Sequence, residues 1–593
     1  MKLLKWIPLF CSLLLYGQEG NDYIYISNCF GDVDTLIPST NRDSLWYQNR
    51  HNSFSVDDEF LLLGYFPLFK SPQTNFGAPI IGWYWQSNQT TDLRIGDRIL
   101  DFGTPQKFNF KAYHQKQPHS KIIYSQAYSE GQRIDFTHKR AYRYGSFEFD
   151  YDRLVSQGFM LHEKNEHIKF NFQGEFNHPE IPCQSQVRIQ TFKNESQWNG
   201  GVSDDSLFLS GVQSNWELLP VNWANYESSI KHIGVDWVHS YEFNDCASLS
   251  YELNLSQDSL FYEGLQDDSL FYPSRLDSAV SYQRAFSNVK NTLKWSQRFT
   301  EDKSSTLGIR QQSFKPNTSS IHKWTAFASL ASYKLKNELY IEYGKAELET
   351  YTLLANYTQG FYVKGIYNKL NLAYHRTNPG WMQMNASSLN KESHFICVLE
   401  QDIPVIDRFA EWYGYINENF NFSASYHSIE GFNYFNEQGV NSISDEDVNV
   451  FQAQVMHHLN AGKWHWNGNT AFQNTSSEIL PLANLLLNQK VYWQGKLFKE
   501  ATEMQMGVRA LYRSSHPGMR YAPLLGDFYV NSTSQTEGSL RLDVFANFKI
   551  QTVKVYVAYE HFNSLWQGEQ YMLKPYPMAK PTLRMSLIWN FYD

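Results

Sequence analysis

The sequence predicts an all-β protein, a transmembrane, antiparallel, up-and-down β-barrel of the outer-membrane kind. Three observations carry this. Strand-length stretches alternate apolar and polar residues. The connections between them take turns in length, short then long. The N-terminus has the form of an export signal.

The 593 residues contain no Pro/Gly/Ser linker, like-charge run or low-complexity block that would divide them. A barrel accommodates such a length, because its core does not grow with the chain. Aromatic residues make up 16% of the chain, yet its mean hydropathy is −0.50. That combination fits strands with one apolar and one polar face, and the aromatic girdles of a membrane barrel. A large soluble β-sandwich or propeller has similar composition, so the strands themselves must decide. The net charge is −9, with no basic tail and no Lys/Arg stripe among the aromatics, which argues against nucleic acid as a partner.

Residues 1–17 read as a secretory signal. Lys2 and Lys5 supply the positive start, and residues 6–16 form an apolar run too short to cross a bilayer as a helix. Cleavage is expected after Gly17. Cys11 falls in this segment, and Pro8-Leu9-Phe10 before it lacks the small residue that lipidation requires. Cys29, Cys183, Cys246 and Cys397 lie far apart without a Cys-x-x-Cys, so neither a zinc site nor a thioredoxin-like motif is expected. Disulfide pairing stays open.

Alternation is clearest near the C-terminus. In 540–550, Leu540, Leu542, Val544, Ala546, Phe548 and Ile550 share one face, with Arg541, Asp543, Asn547 and Lys549 on the other. Gln551-Thr552 links to Val553, Val555, Val557 and Tyr559, opposed by Lys554, Tyr556, Ala558 and Glu560. Upstream, Trp464, Trp466 and Phe472 oppose His465, Asn467 and Asn469, and Leu249, Tyr251, Leu253 and Leu255 oppose Ser250, Glu252 and Asn254. Short connections are expected at 244–246, 300–303, 459–462, 499–502 and 551–552, and long ones at 257–277, 428–447, 514–537 and 563–581. Counting hairpins back from the C-terminus gives an even strand number of about 18, in a range of roughly 16 to 22. The barrel is expected over 105–593.

Residues 18–104 alternate poorly, with an apolar stretch at 61–69 and a Gly/Pro/aromatic stretch at 76–85. This segment packs at the periplasmic mouth, plugs the lumen or leads into the first strand; the residues leave all three open. It is too short for the full plug of a TonB-dependent receptor.

The final strand is the most specific feature. Leu583, Met585, Leu587, Trp589 and Phe591 alternate with Arg584, Ser586 and Asn590. An aromatic closing an amphipathic last strand resembles the signal read by the barrel-assembly machinery, which an unpaired edge can engage by β-augmentation. Here Phe591 is followed by Tyr592-Asp593. The ending Trp589-Asn590-Phe591-Tyr592-Asp593, with Tyr576-Pro577 and Pro581-Thr582-Leu583-Arg584 before it, resembles the putative-porin family of Bacteroidota-type outer membranes. Residues 119–128, 131–138 and 150–158 look like that family's first barrel strands. The resemblance implies a large barrel with passive diffusion, no catalytic motif and no defined substrate.

Candidate chemistry is sparse. Ser393-His394, His239-Ser240 and His427-Ser428 are adjacent pairs, whose side chains point to opposite faces of a strand, and no Gly-x-Ser-x-Gly elbow accompanies them. His457-His458 reads as a rim pair. Asp445, Asp447 and Asn449 have the spacing that opens a calcium loop but lack its glycine and distal glutamate. Asp-Ser-Leu-Phe recurs at 205–208, 258–261 and 268–271 and reads as loop packing. No catalytic, cofactor or metal residues are expected, and the chain is not read as an enzyme.

Lys496, Arg509, Arg541, Lys554 and Arg584 occupy polar strand faces and are expected to line the lumen with Asp543 and Glu560. Either the cations form a basic wall that favours anions, or the acids offset them. The expected function is a porin passing small hydrophilic solutes. The alternatives are a non-transporting surface scaffold or adhesin and, behind both, an outer-membrane hydrolase. The expected partners are outer-membrane lipids, the assembly machinery and the solutes; association into a homo-oligomer stays open.

Overall fold

The computed structural model describes residues 69–72, 75, 78, 80–87, 92–93, 118–127, 131–224, 226–264, 280–316, 320–346, 351–379, 403–417, 419–437, 441–522 and 527–592. The expected export signal with its cleavage point, Cys11, Cys29, Cys397, and the pair Ser393-His394 lie outside the described residues.

Alternating residues dictate an antiparallel ladder. The described strands close into one barrel of 22 strands, running from His119–Ala127 to Thr582–Tyr592. This corrects the expected number of about 18. The strands His119–Ala127 and Gly131–Tyr142, Lys303–Lys315 and Ile321–Ser332, and Asn337–Ala346 and Tyr351–Val363 follow one another after as few residues as the strands joined at the opposite rim. A count that looks for long loops therefore fuses these strands. A second correction concerns 257–277. The strand Ala247–Gly264 continues well past position 257, because Tyr226–Asn244 and Val280–Arg298 pair with it to its end.

Two-residue turns at one rim follow local chemistry. Val363 pairs with Ile366 across Lys364 and Gly365, whose φ values are 49° and 83°. Two successive left-handed residues match the twist of the strands they join. Gly462 takes the same region at the turn from Ala461 to Trp464.

Closure depends on the last strand. Ser586 sits opposite Ser125 in register, and its hydroxyl donates to the Ser125 Oγ at 2.8 Å on the buried face. On the opposite face Leu583, Met585 and Trp589 are 46%, 52% and 44% exposed, whereas Arg584 between them is 4% exposed. Water would penalise that apolar row, and lipid does not. Among the described residues no helix is long and apolar enough to cross a membrane; this chain crosses with strands.

Among the described residues, two long connections meet at the mouth. Asn433–Phe435, Asn441–Ile443, His516–Ala522 and Asp527–Thr536 form a four-stranded sheet at the mouth, joined where Phe435 meets Tyr529. Tyr521, on this sheet, stacks on Trp198 at 5.1 Å. Its cluster includes Phe192, Phe286 and Phe314 from wall strands far around the barrel from those that carry the hairpin. The hairpin thus reaches across the opening.

The Asp-Ser-Leu-Phe stretches do not share a role. Asp205–Leu209 is a short helix that buries Phe208 against Trp216, as loop packing requires. Asp258 instead lies within a barrel strand and meets the His232 ring at 2.6 Å. The third stretch lies outside the described residues.

Candidate functional site: the lumen and the strap across it

A barrel of this circumference is too wide for wall side chains to fill; at 22 strands the lumen characteristically holds a plug. Here the described residues between 69 and 93, termed the strap, occupy it. Lys70–Pro72 and Ile80–Gly82 form a small antiparallel pair. The Trp83 N–H bonds the Phe69 carbonyl at 2.8 Å, and past it the described strap residues belong to no strand, so their backbone groups need other partners. Side chains on the polar face of the wall supply them.

Gln473 and Gln452 hold the middle of the strap. The Gln473 amide donates to the Trp83 carbonyl at 2.6 Å and accepts from the Trp85 N–H at 3.2 Å. Gln452 donates to the Trp85 carbonyl at 3.0 Å. The Trp85 ring meets His427 edge-on at 4.6 Å, and the Arg513 guanidinium lies 4.2 Å from the Trp83 ring centre. Ser87 donates to the Asp407 carboxylate. Phe69, Ile81 and Trp83 pack with Ala471, Leu486, Met519 and Leu573 in a buried cluster of strap, wall and mouth loops.

The two ends reach other sectors. Asn75, fully buried, donates to Ser156 Oγ at 3.0 Å and to the Glu163 carbonyl at 2.7 Å, and accepts from Asn165 at 2.7 Å. Asp92 accepts from Lys290 at 3.0 Å and from Arg310 at 2.9 Å. Gln312 brackets Leu93, accepting its N–H at 2.9 Å and donating to its carbonyl at 2.8 Å. The described residues of one short segment thus touch strands on widely separated arcs of the closed wall, on its lumen face.

The structure separates the charged residues singled out from sequence. Arg584 and Arg541 both bind Glu560, Arg584 Nε at 2.9 Å and Arg541 Nη2 at 3.1 Å, and Arg541 Nε also reaches Asp543 at 3.0 Å. Asp543 further accepts the His561 N–H at 2.7 Å. Arg509 is buried opposite Asp543 in register, with its guanidinium 6.0 Å from the Phe545 ring. Lys554 is half-buried opposite Ile588 and Lys549. Lys496 keeps to the strand face of Tyr492, but at its rim end. It is exposed at the short-turn rim and pairs with Glu500 at 3.1 Å, because the strand ends one residue later. Arg541 and Arg584 thus sit in a neutralising network rather than a bare basic wall. Of the final strand, Leu583, Met585 and Trp589 are exposed, and Leu587 and Phe591 are half-buried on the same outer face.

Two histidines named from sequence turn to other partners. His427 meets the Asp407 carboxylate at 3.1 Å, not Ser428. His239 contacts Ser185 at 2.7 Å, on the face that carries the exposed Trp237. Sequence reasoning did not single out Asp92, Lys290, Arg310, Gln312, Gln452 or Gln473. Each wall residue among them lies on an alternating polar face, but nothing local marks which polar residue meets the strap.

The fold and the strap define a class: a large outer-membrane β-barrel whose lumen carries a plug-like segment of the same chain. Within it, the chain belongs to the family described as "Putative porin", whose model matches residues 68–593. The match begins just before the strap and so includes it. No curated protein matches the sequence. Solved structures with a similar fold include the FrpB iron transporter from Neisseria meningitidis, at 10% identity and TM-score 0.59 over 80% of this chain and 82% of that one. The ferric enterobactin receptor PfeA from Pseudomonas aeruginosa gives 9% identity and TM-score 0.60 over 81% and 82%. The siderophore receptor PirA from Acinetobacter baumannii gives 10% identity and TM-score 0.58 over 81% of each chain. At these identities the likeness is one of fold.

Proposed function

We propose that this protein is a gated transporter of hydrophilic solutes across the outer membrane, closed in the state described by its strap. The observation that supports this reading is the docking of Asn75, Trp83, Trp85 and Asp92 on separated arcs of the inner wall. A permanently open diffusion pore has no need of a segment bonded across its lumen. The bonds from wall side chains to the strap backbone at Trp83, Trp85 and Leu93 are each worth about 0.5–1.5 kcal/mol net, so a modest driving force can exchange them. The structural neighbours are named as iron transporters and siderophore receptors, which agrees with a plugged transport barrel. Their cargo is not carried over at 10% identity.

Single-channel recording in planar bilayers tests the reading. The full chain is expected to stay mostly closed, and a Gln452→Ala/Gln473→Ala variant to show long-lived openings. Equal, steady conductance in both proteins would refute gating. Failure of both to pass ions, and of their liposomes to swell with sugars, would refute transport.

A further inference from the structure

The strap ends on a charged site that the closed state already fills. Lys290 and Arg310 come from adjacent wall strands, and both donate to Asp92. Lys323, on the next strand, is fully buried and stands opposite Gln312, which in turn stands opposite Lys290. The cations therefore surround one amide on one face of three consecutive strands.

The wall is built around them. A Cβ at Gly344 would lie 2.6 Å from Lys323 Cε, so only glycine leaves that side chain its place. Arg310 lies 5.6 Å from the centre of the Phe327 ring, which limits its orientation. Glu342 meets Arg310 at 3.4 Å and receives the Tyr340 hydroxyl. Asp92 and Glu342 both face these cations, and withdrawing the strap takes the Asp92 carboxylate away from them. Clustered cations in a desolvated wall are costly without a counter-charge. Burial raises the carboxyl pKa of Asp92, but Lys290, Arg310 and Lys323 outweigh it and hold the group well below the usual range. The seated species is thus a carboxylate.

We propose that Lys290, Arg310 and Lys323, with Gln312, form an anion subsite of the lumen that takes a small carboxylate solute, and that Asp92 occupies it as an internal competitor. The role of Asp92 rests on the gated reading above. Gln312 extends the recognition. Its amide accepts the N–H and donates to the carbonyl of Leu93, which belong to two successive peptide units, so the site reads a carboxylate beside the backbone of the residue that follows it. A solute with that pairing of groups reproduces the contacts named here for Asp92 and Leu93. It displaces the strap without stranding a charge, which couples its arrival to opening.

The probe is N-acetyl-aspartyl-leucine N-methylamide, which copies the Asp92 carboxylate and both the N–H and the carbonyl of Leu93. Binding is measured by calorimetry on the full chain in detergent, with the asparagine analogue as neutral control. Asp92→Asn removes the competitor, and binding is expected to tighten by about 10-fold or more, since no strap has to be displaced. Arg310→Gln or Lys290→Gln in the Asp92→Asn background is expected to lose that binding while heat-modifiable gel migration stays intact. Equal affinity in the wild type and Asp92→Asn, or equal binding of the asparagine analogue, overturns the proposal. Conductance is read separately. Binding without conduction would sink gated transport and leave the subsite standing, whereas conduction without binding would do the reverse.

Discussion

Arg584 grips Glu560 at two points on the inner wall, Nε to Oε1 at 2.9 Å and Nη2 to Oε2 at 3.2 Å. Both side chains are buried, and Arg541 binds the same carboxylate at 3.1 Å. The pair ties the last strand to the one before it, next to the closing seam. Glu560→Gln would take the counter-charge from the buried Arg584, while the half-buried Arg541 keeps Asp543, with a cost on the order of 3 kcal/mol. The expected outcome is a lower temperature for loss of heat-modifiable migration; an unchanged temperature would show that the network contributes little to closure.

The outward row on the final strand makes a second expectation. Met585 is 52% exposed on the lipid face. Arginine there should cost roughly 2–4 kcal/mol if the position lies near the bilayer midplane. Equilibrium folding into lipid vesicles over a urea series measures the loss. Met585→Leu serves as the apolar control and is expected to fold as the wild type does.

Asn75 anchors the outer end of the strap through Ser156, Glu163 and Asn165. Asn75→Ala removes those bonds and leaves buried groups unsatisfied, at about 1–3 kcal/mol. The barrel wall does not depend on them. Limited proteolysis of the folded protein should therefore cut the strap faster in the variant, with the barrel fragment equally resistant. Uniform sensitivity of wall and strap would mean that Asn75 supports the barrel itself.

Mouth packing should weaken in acid. His561 follows the strand Val553–Glu560, and its Nδ1–H donates to the Ala579 carbonyl at 2.6 Å. Burial is the main cause that takes its pKa down to about 4, from an ordinary value of 6.5. Between those values the unfolded loop binds the proton more tightly than the folded one. The stabilisation is therefore complete above pH 6.5 and is lost as pH falls toward 4. Hydrogen exchange across 561–581 should accelerate over that window, and His561→Gln should flatten the dependence. A wild-type rate with no trend across the window beyond the intrinsic exchange chemistry would rule this histidine out as the cause.

The barrel class, the two faces of its strands and the role of the last strand were legible because alternation has a period of two and is read within ten residues. Leu583, Met585 and Trp589 against Arg584 and Ser586 needed no distant partner to declare their sides. Strand number was less legible, since short connections such as 347–350 resemble the turns at the other rim. The lumen charges were legible as polar-face residues but not as partners: nothing near Arg541 in sequence announces that it shares Glu560 with Arg584.

By itself, then, the sequence determined a membrane barrel and which residues meet lipid, since those follow from local periodicity and the chemistry of a bilayer. Only the tertiary structure decided that the chain closes at 22 strands and that its own strap lies inside. Gln473 meets Trp83 across 390 positions and Lys290 meets Asp92 across 198. Contacts of that span depend on where closure places each arc of the wall, which no local pattern encodes.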